Sequence, residues 1–221
     1  MARALQLAER ARYTAYPNPV VGCVIAHGDT VVGEGFHIRS GGPHAEVHAL
    51  RMAGDQARGA TAYVTLEPCA HYGRTPPCAL ALIEAGVARV VCALGDPFEK
   101  VAGGGFALLR QAGIAVDVGL MEAAAREANA GFLSRVQRGR PFVRVKLAAS
   151  LDGRTAMADG SSQWITGPAA RADVQHWRAR AGAVLTGAGT VLADDPRLDV
   201  RLDPSIDVAT GLRVVLDASL R

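Results

Sequence analysis

The sequence predicts an α/β protein of two domains. Its 221 residues are 49% hydrophobic, which is enough to bury one large core or two modest ones. Apolar β-type runs alternate with helical segments along most of the chain, a pattern typical of an α/β sandwich whose later strands are parallel. A basic run that ends in a proline interrupts this alternation at residues 134–141. We interpret that run as a linker and expect domains at residues 1–140 and 141–221.

The first domain is predicted to begin with a helix followed by a hairpin. Charges interrupt the apolar positions of residues 2–12, which predicts an amphipathic helix and excludes a secretory signal. Two prolines in the next segment exclude further helix. Two β-rich runs, joined by a short turn that contains Gly28, then predict a hairpin of residues 20–26 and 30–37.

The remaining elements follow from the same alternation of short apolar runs and longer amphipathic segments. In the first domain we predict helices at residues 44–53, 77–85, 104–112 and 122–132, and strands at residues 61–66, 88–94 and 114–118. In the second domain we predict strands at residues 142–149, 183–186 and 213–216, and a helix at residues 168–179.

Charge and cysteine content narrow the classes of function. The formal charge of +3 comes from 24 basic and 21 acidic residues without long like-charged blocks, so neither a nucleic-acid surface nor a membrane surface is indicated. A small phosphorylated substrate is compatible with this charge. The chain contains four cysteines, and we expect reduced thiols or metal ligands in a cytoplasmic protein. Cys23 and Cys92 lie in apolar runs and are predicted to be core residues.

Three short motifs carry candidate metal ligands. His44 and Glu46 lie at the start of a predicted helix, Cys69 follows a predicted strand, and Cys78 lies at the start of the next helix. One imidazole and two thiolates make a three-ligand site that leaves the fourth tetrahedral position to water, as in catalytic zinc sites. Zinc lowers the pKa of that water to about 7, and Glu46 would move protons between water and substrate.

This pattern is similar to the His-x-Glu and Pro-Cys-x-x-Cys signature of zinc deaminases, with a longer interval between the cysteines. The interval, residues 70–77, contains His71 and also Arg74, a bidentate phosphate donor. His37 and Asn18, at strand and loop ends that face the same edge of the predicted sheet, are further candidates for substrate contacts. The motifs therefore predict a hydrolytic deaminase whose pocket is bordered by the loop between the cysteines.

Other interpretations stay open on the residues alone. A structural zinc site would normally have four protein ligands, and His48, one helical turn after His44, has a spacing that allows it to compete as a ligand. We expect a core or pocket-wall role for His48. A deaminase of nucleic-acid bases shares the metal chemistry, but aromatic residues make up 5% of the chain and its charges are mixed. A metal-stabilised scaffold without activity is the third alternative.

Six motifs spread over both predicted domains carry a family resemblance. They are Tyr16-Pro17-Asn18-Pro19-Val20-Val21-Gly22, Pro43-His44-Ala45-Glu46-Val47-His48-Ala49, Thr65-Leu66-Glu67-Pro68-Cys69 running through to Cys78, Lys146-Leu147-Ala148-Ala149-Ser150-Leu151-Asp152-Gly153-Arg154, Gln163-Trp164-Ile165-Thr166, and Gly187-Ala188-Gly189-Thr190-Val191-Leu192-Ala193-Asp194-Asp195-Pro196. Together they resemble the bifunctional riboflavin-biosynthesis deaminase/reductase family. The resemblance implies a cytidine-deaminase-like three-layer α/β/α domain followed by the first part of a dihydrofolate-reductase-like α/β domain.

The resemblance also implies a reaction and its binding residues. The substrate would be a pyrimidine with a phosphoribosylamino arm, deaminated with Zn²⁺ by the first domain and reduced by NADPH at the sugar in the second, in a homo-oligomer. The deaminase substrate would be held by Asn18, His37, His71 and Arg74. NADPH would be bound by Ala148, Trp164, Thr190 and Asp194, and the reductase substrate by Ser162, Arg178, Leu198 and Arg201.

Two departures from the family pattern affect these expectations. Arg74 stands where some relatives have lysine, which keeps the positive charge and changes the donor geometry. The family's reductase continues well past the strand predicted at residues 213–216. We therefore expect an incomplete reductase domain and weak or no NADPH-dependent turnover by this chain.

Overall fold

The computed structural model describes residues 1–72, 76–98 and 101–220. These residues form two compact units, Met1–Phe142 and Val143–Arg221. Among them, every helix is too short or too polar to cross a lipid bilayer.

A five-stranded sheet with the order β2-β1-β3-β4-β5 forms the centre of the first unit. Strand β1 pairs antiparallel with both β2 and β3, whereas β3, β4 and β5 pair in parallel, as the alternation predicts. The start of β1 and the ends of β2, β3 and β4 consequently lie along one edge of the sheet. The strands are β1 (Gly22–His27), β2 (Thr30–Phe36), β3 (Thr61–Val64), β4 (Arg89–Cys92) and β5 (Ala115–Val118).

Helices cover both faces of this sheet. Alternate residues of a strand point to opposite faces, so Ile25 packs in the cluster that contains Ala49 and Leu82, while Val24 packs with Leu7. The arrangement is the three-layer α/β/α fold that was predicted. Its helices are α1 (Ala2–Glu9), α2 (Ala45–Ala53), α3 (Cys78–Glu84), α4 (Gly104–Gln111), α5 (Glu122–Ala128) and α6 (Ala130–Arg138), with a 3₁₀ turn at Gly54–Ala57.

The end of the first unit differs from the prediction in two ways. The helix predicted at residues 122–132 is broken at Asn129, whose backbone leaves the helical region because its side chain bonds to residue Val20. The linker predicted at residues 134–141 is wrong over most of its length, because α6 continues through it to Arg138. Two of its basic residues, Arg135 and Arg138, occupy the last helical turn, where the helix dipole favours them, and Gly139 ends the helix with a φ of 65°.

Two glycines of β2 allow α2 to lie directly on the sheet. A Cβ atom at Gly33 would lie 2.2 Å from the carbonyl oxygen of Ala49, and one at Gly35 would lie 2.3 Å from that of Ala45. Both oxygens belong to the backbone of α2, so a side chain at either position would push the helix away. The glycines therefore determine how closely α2 approaches the sheet.

The second unit contains a small parallel sheet and two helices. Strands β6 (Ala183–Gly187) and β7 (Leu212–Leu216) pair in parallel, and the helices are α7 (Pro168–Ala179) and α8 (Ala188–Asp194). The predicted strand at residues 142–149 is wrong, because these residues form no ladder with another described strand. Their β-type composition is insufficient without a pairing partner, and Val145 and Leu147 are 75% and 78% exposed. Helix α8 was not predicted.

We predict that Gly35→Ala destabilises the first unit. The added methyl group would meet the backbone of α2, and overpacking of this kind costs about 1–3 kcal/mol. The matched control is Gly131→Ala in α6, where an added Cβ has no neighbour within 4 Å and helix propensity favours alanine. Urea denaturation monitored by far-UV circular dichroism compares the variants, and a Gly35→Ala protein as stable as the wild type would contradict the prediction.

Candidate metal centre

The secondary structure places four predicted site residues together at one edge of the sheet. His44 is the N-cap residue of α2, with an extended backbone at φ −76° and ψ 165°, and Glu46 lies in the first turn of the same helix. Cys78 is the first residue of α3, and Cys69 lies on the loop that follows β3. The positive ends of the α2 and α3 dipoles therefore lie next to the ligand side chains, where they favour thiolate and carboxylate.

The distances between the ligand atoms fit a zinc ion. Nδ1 of His44 lies 3.6 Å from Sγ of Cys69 and 3.3 Å from Sγ of Cys78. Tetrahedral zinc with Zn–S bonds of about 2.3 Å and Zn–N bonds of about 2.05 Å separates nitrogen and sulfur by about 3.6 Å. Among the described residues these three form the one group whose ligand atoms converge within 4.8 Å, and His48 is not part of it. The donor set leaves the fourth zinc position open.

Hydrogen bonding links Cys69 and Cys78. The backbone N–H of Cys78 donates to Sγ of Cys69 over 3.3 Å. Hydrogen bonding from the Cys78 thiol and, to a smaller extent, from His44 lowers the pKa of Cys69. The interaction between the two thiols, together with burial, raises the pKa of Cys78. Cys69 is therefore the first of the two to ionise, and a dication favours release of the second proton as well.

Glu46 is a buried acid next to these ligands. Its side chain is 3% exposed, and the carboxyl group lies close enough to the Cys78 thiol for the two groups to influence each other's pKa. Burial raises the pKa of Glu46 to about 7, although the nearby His44 imidazole opposes the shift. A carboxyl group with a pKa near neutrality can both accept and donate a proton at physiological pH.

Asn18 and His37, two of the predicted substrate residues, are bonded to each other. Nδ2 of Asn18 lies 3.1 Å from Nε2 of His37, and Nδ1 of His37 lies 3.1 Å from the carbonyl oxygen of Pro43. The carbonyl can only accept, so Nδ1 carries the proton and Nε2 accepts from Asn18. Burial lowers the pKa of His37, which keeps the ring neutral, and its plane stands edge-on to His44 with centroids 5.5 Å apart.

The loop between the cysteines is described in part. His71 is half-buried, and its Nδ1 atom has no hydrogen-bond partner among the described residues. Arg74 lies outside the described residues. Nε2 of His48 is likewise buried without a partner in the described part of the chain, while its ring lies on α2 away from the converging ligand atoms.

The sequence motifs did not reveal the role of Glu67. Its side chain is 5% exposed, and its carboxylate accepts four backbone N–H groups at 3.0–3.3 Å. These donors belong to Asp96, Gly103, Gly105 and Phe106. The one available signal was an acidic residue between the apolar end of a strand and a Pro-Cys pair.

In the second unit the structure brings together some of the predicted residues. Arg178 donates to the carbonyl oxygen of Asp199 over 3.0 Å, and Arg201 pairs with the Asp199 carboxylate. Burial, followed by repulsion from Arg201, lowers the pKa of Arg178. Leu198 adjoins this group in the sequence.

The remaining predicted residues of the second unit lie in different places. Thr190 and Asp194 lie on α8, and Trp164 lies beneath the guanidinium of Arg171. Ser162 is exposed and Ala148 is half-buried.

Two known families match separate parts of the chain. Residues 1–94 match the cytidine and deoxycytidylate deaminase zinc-binding region. Residues 141–221 match the RibD C-terminal domain. The zinc-binding region contains all three converging ligands, so zinc is the metal of this centre.

Relatives of known sequence and structure cover both units. The riboflavin biosynthesis protein RibD of Escherichia coli K12 is 58% identical over 231 residues, which cover 100% of this chain and 63% of that protein. The RibD structure of Acinetobacter baumannii is 59% identical, with a TM-score of 0.92 over 97% of this chain and 61% of that one. A Thermotoga maritima structure described as a diaminohydroxyphosphoribosylaminopyrimidine deaminase/5-amino-6-(5-phosphoribosylamino)uracil reductase is 42% identical, with a TM-score of 0.91, covering 98% of this chain and 62% of that one. The chain spans about three fifths of the length of these relatives, and along almost all of its own length it is similar to RibD proteins.

Proposed function

We propose that residues 1–140 form a zinc-dependent deaminase of riboflavin biosynthesis. The reaction is the hydrolytic deamination of 2,5-diamino-6-(5-phosphoribosylamino)pyrimidin-4-one to 5-amino-6-(5-phosphoribosylamino)uracil. The observation that carries this proposal is the convergence of His44, Cys69 and Cys78 beside the buried carboxyl group of Glu46. The names of the relatives that match the whole chain support the choice of substrate.

The residues around the metal centre have distinct tasks in this reaction. His44, Cys69 and Cys78 would hold the zinc ion, which when bound would lower the pKa of water and so supply the nucleophile at neutral pH. Glu46 accepts one proton from the attacking water and passes it to a ring nitrogen. It then takes the remaining proton from the added hydroxyl group and delivers it to the amine, which leaves as ammonia while the hydroxyl oxygen becomes the carbonyl oxygen of the product. Its pKa of about 7 suits both directions of transfer.

Four residues are proposed to hold the substrate. The neutral ring of His37, whose orientation is set by Asn18 and Pro43, provides a polar pocket wall. The buried Nδ1 atom of His71 is without a partner among the described residues and would bond to the substrate. Arg74 would bind the phosphate of the ribosyl arm through its planar guanidinium.

We also propose that residues 141–221 contribute to an NADPH-dependent reductase that acts on the ribosyl arm of the deaminated product. The match to the RibD C-terminal domain supports this assignment. NADPH would contact Ala148, Trp164, Thr190 and Asp194, and the reductase substrate would contact Ser162, Arg178, Leu198 and Arg201. A homo-oligomer in the cytoplasm is part of the same proposal and rests on the family resemblance.

Replacement of the proton carrier should separate metal binding from turnover. Glu46→Gln keeps the shape of the side chain but cannot transfer protons, so ammonia release should fall by roughly 10²- to 10⁴-fold. Zinc content, measured by atomic absorption, should stay at the wild-type level. The matched control is Glu84→Gln at an exposed position of α3, which should keep full activity. A fully active Glu46→Gln enzyme would show that the assigned role is wrong.

Removal of zinc should abolish activity while the fold persists. The main core cluster, which includes Ile25, Val64 and Leu82, contains none of the metal ligands, so the chelated protein should keep its far-UV circular dichroism. One equivalent of zinc should then restore ammonia release. A protein that unfolds on chelation, and deaminates nothing when loaded with zinc, would instead have a structural metal. Ammonia release from single-stranded oligonucleotides alone would contradict the substrate class.

A further inference from the structure

Asn129, at the break between α5 and α6, bonds to a distant loop. The residue is 4% exposed, and its Oδ1 atom accepts from the backbone N–H of Val20 over 2.8 Å. Its Nδ2 atom donates to the carbonyl oxygen of Val20 over 3.0 Å and to that of Ala125 over 3.3 Å. One amide group thus pairs with both backbone groups of a single residue.

Along the chain, Val20 lies between Asn18, a proposed substrate-binding residue, and the first strand of the sheet. Asn18 is two residues earlier in the chain, and its amide bonds to the ring of His37. The residue after Val20 is Val21, whose carbonyl oxygen accepts the backbone N–H of His37 over 2.9 Å. A displacement of Val20 would therefore move both partners of the Asn18–His37 pair.

Other contacts also hold the loop that contains Val20. Val20 packs with Ala11 and Ala15 in a small buried cluster against which Ala128 also packs. The exposed side chain of Arg135, on α6, donates to the carbonyl oxygen of Pro17 over 3.3 Å. The helices after β5 thus support this loop through Asn129 from inside and through Arg135 from the surface.

The side-chain chemistry at position 129 is specific. An amide group offers one acceptor and two donors, which is what the Val20 backbone and the Ala125 carbonyl require. Alanine at this position would leave a buried N–H and a buried C=O of Val20 without partners. These helices lie outside residues 1–94, which match the zinc-binding deaminase region.

We propose that Asn129 is a positioning residue for the deaminase substrate, acting through Val20 on Asn18 and His37. The inference rests on the proposed function for the identity of the substrate, and on the structure alone for the hydrogen-bond chain. The hydrogen bonds of Asn129 go to Val20 and Ala125 and not to a metal ligand, so its replacement should affect substrate binding and leave zinc in place. Arg135 has a smaller share in the same task.

The kinetic test compares Asn129→Ala with Leu133→Ala. Leu133, on α6, is buried at 6% exposure and packs in a cluster with Leu66 and Leu94, against which Val21 also packs. Its truncation loosens the packing of the same helices and leaves every hydrogen bond of Asn129 and Val20 in place. For Asn129→Ala we expect KM to rise about tenfold, which is the effect of roughly one buried hydrogen bond. Its kcat and zinc content should stay within about twofold of the wild type, and Leu133→Ala should keep KM unchanged.

A second variant covers the case in which Asn129→Ala does not fold. Arg135→Ala removes an exposed side chain, and we expect it to raise KM about twofold, in line with one exposed hydrogen bond. The positioning role is overturned if both variants bind substrate as tightly as the wild type. If Asn129→Ala does not fold, wild-type substrate binding by Arg135→Ala alone overturns it. Equal rises in KM for Asn129→Ala and Leu133→Ala would also overturn it, because general loosening would then explain the effect.

A spectroscopic measurement decides the inference independently of the substrate. In zinc-loaded protein labelled with ¹⁵N-histidine, the ring nitrogens of His37 report its hydrogen bonds to Asn18 and Pro43 at a fixed pH. The His37 Nε2 resonance should shift in Asn129→Ala and stay in place in Leu133→Ala. An unchanged resonance in Asn129→Ala would overturn the proposal. If the wild-type protein released no ammonia from the pyrimidine ribotide, the proposed function would fail and this measurement would still decide the role of Asn129.

Discussion

The architecture of the site depends on the hydrogen bonds that the buried Glu67 carboxylate accepts from the backbone. A carboxylate removed from water without partners costs several kcal/mol, so its four backbone donors have to stay in place for the fold to be stable. Those donors include the first amides of α4, which have no partners inside the helix. The chain before α4 is thereby held near the end of β3, and Val101 from that segment packs against Cys69 and Cys78. Glu67 thus holds in place the segment that packs against the two cysteine ligands.

The sheet topology explains why polar groups from distant parts of the chain meet. Antiparallel pairing of β1 with both neighbours brings the start of β1 to the edge where β2, β3 and β4 end. Asn18 precedes β1, His37 follows β2 and Cys69 follows β3, so each reaches the same edge from a different strand. The helices supply the remaining groups through their first turns, and the close approach of α2 is possible because β2 has glycine where the helix backbone passes.

Much of the first unit was predictable, since its elements are short, strongly patterned and separated by turns. The metal ligands could be found because His44, Cys69 and Cys78 are chemically distinctive and stand next to recognisable element boundaries. Long-range hydrogen bonding could not be found in this way. The break at Asn129 and the role of Glu67 depend on partners remote in sequence, and a local pattern contains no information about them. The strand expected at residues 142–149 failed for a related reason, because β-propensity describes a residue's fit to a sheet and not the presence of a neighbouring strand.

The pairing of Asn129 with Val20 joins residues that are 109 positions apart in the chain. Closing so long a loop is entropically costly, and on a ribosome it has to wait until the later helices have emerged. The zinc ligands all lie between residues 44 and 78, so this part of the molecule can assemble while α5 and α6 are still being made. Synthesis of the chain therefore makes the metal ligands available before the helices that complete the substrate pocket.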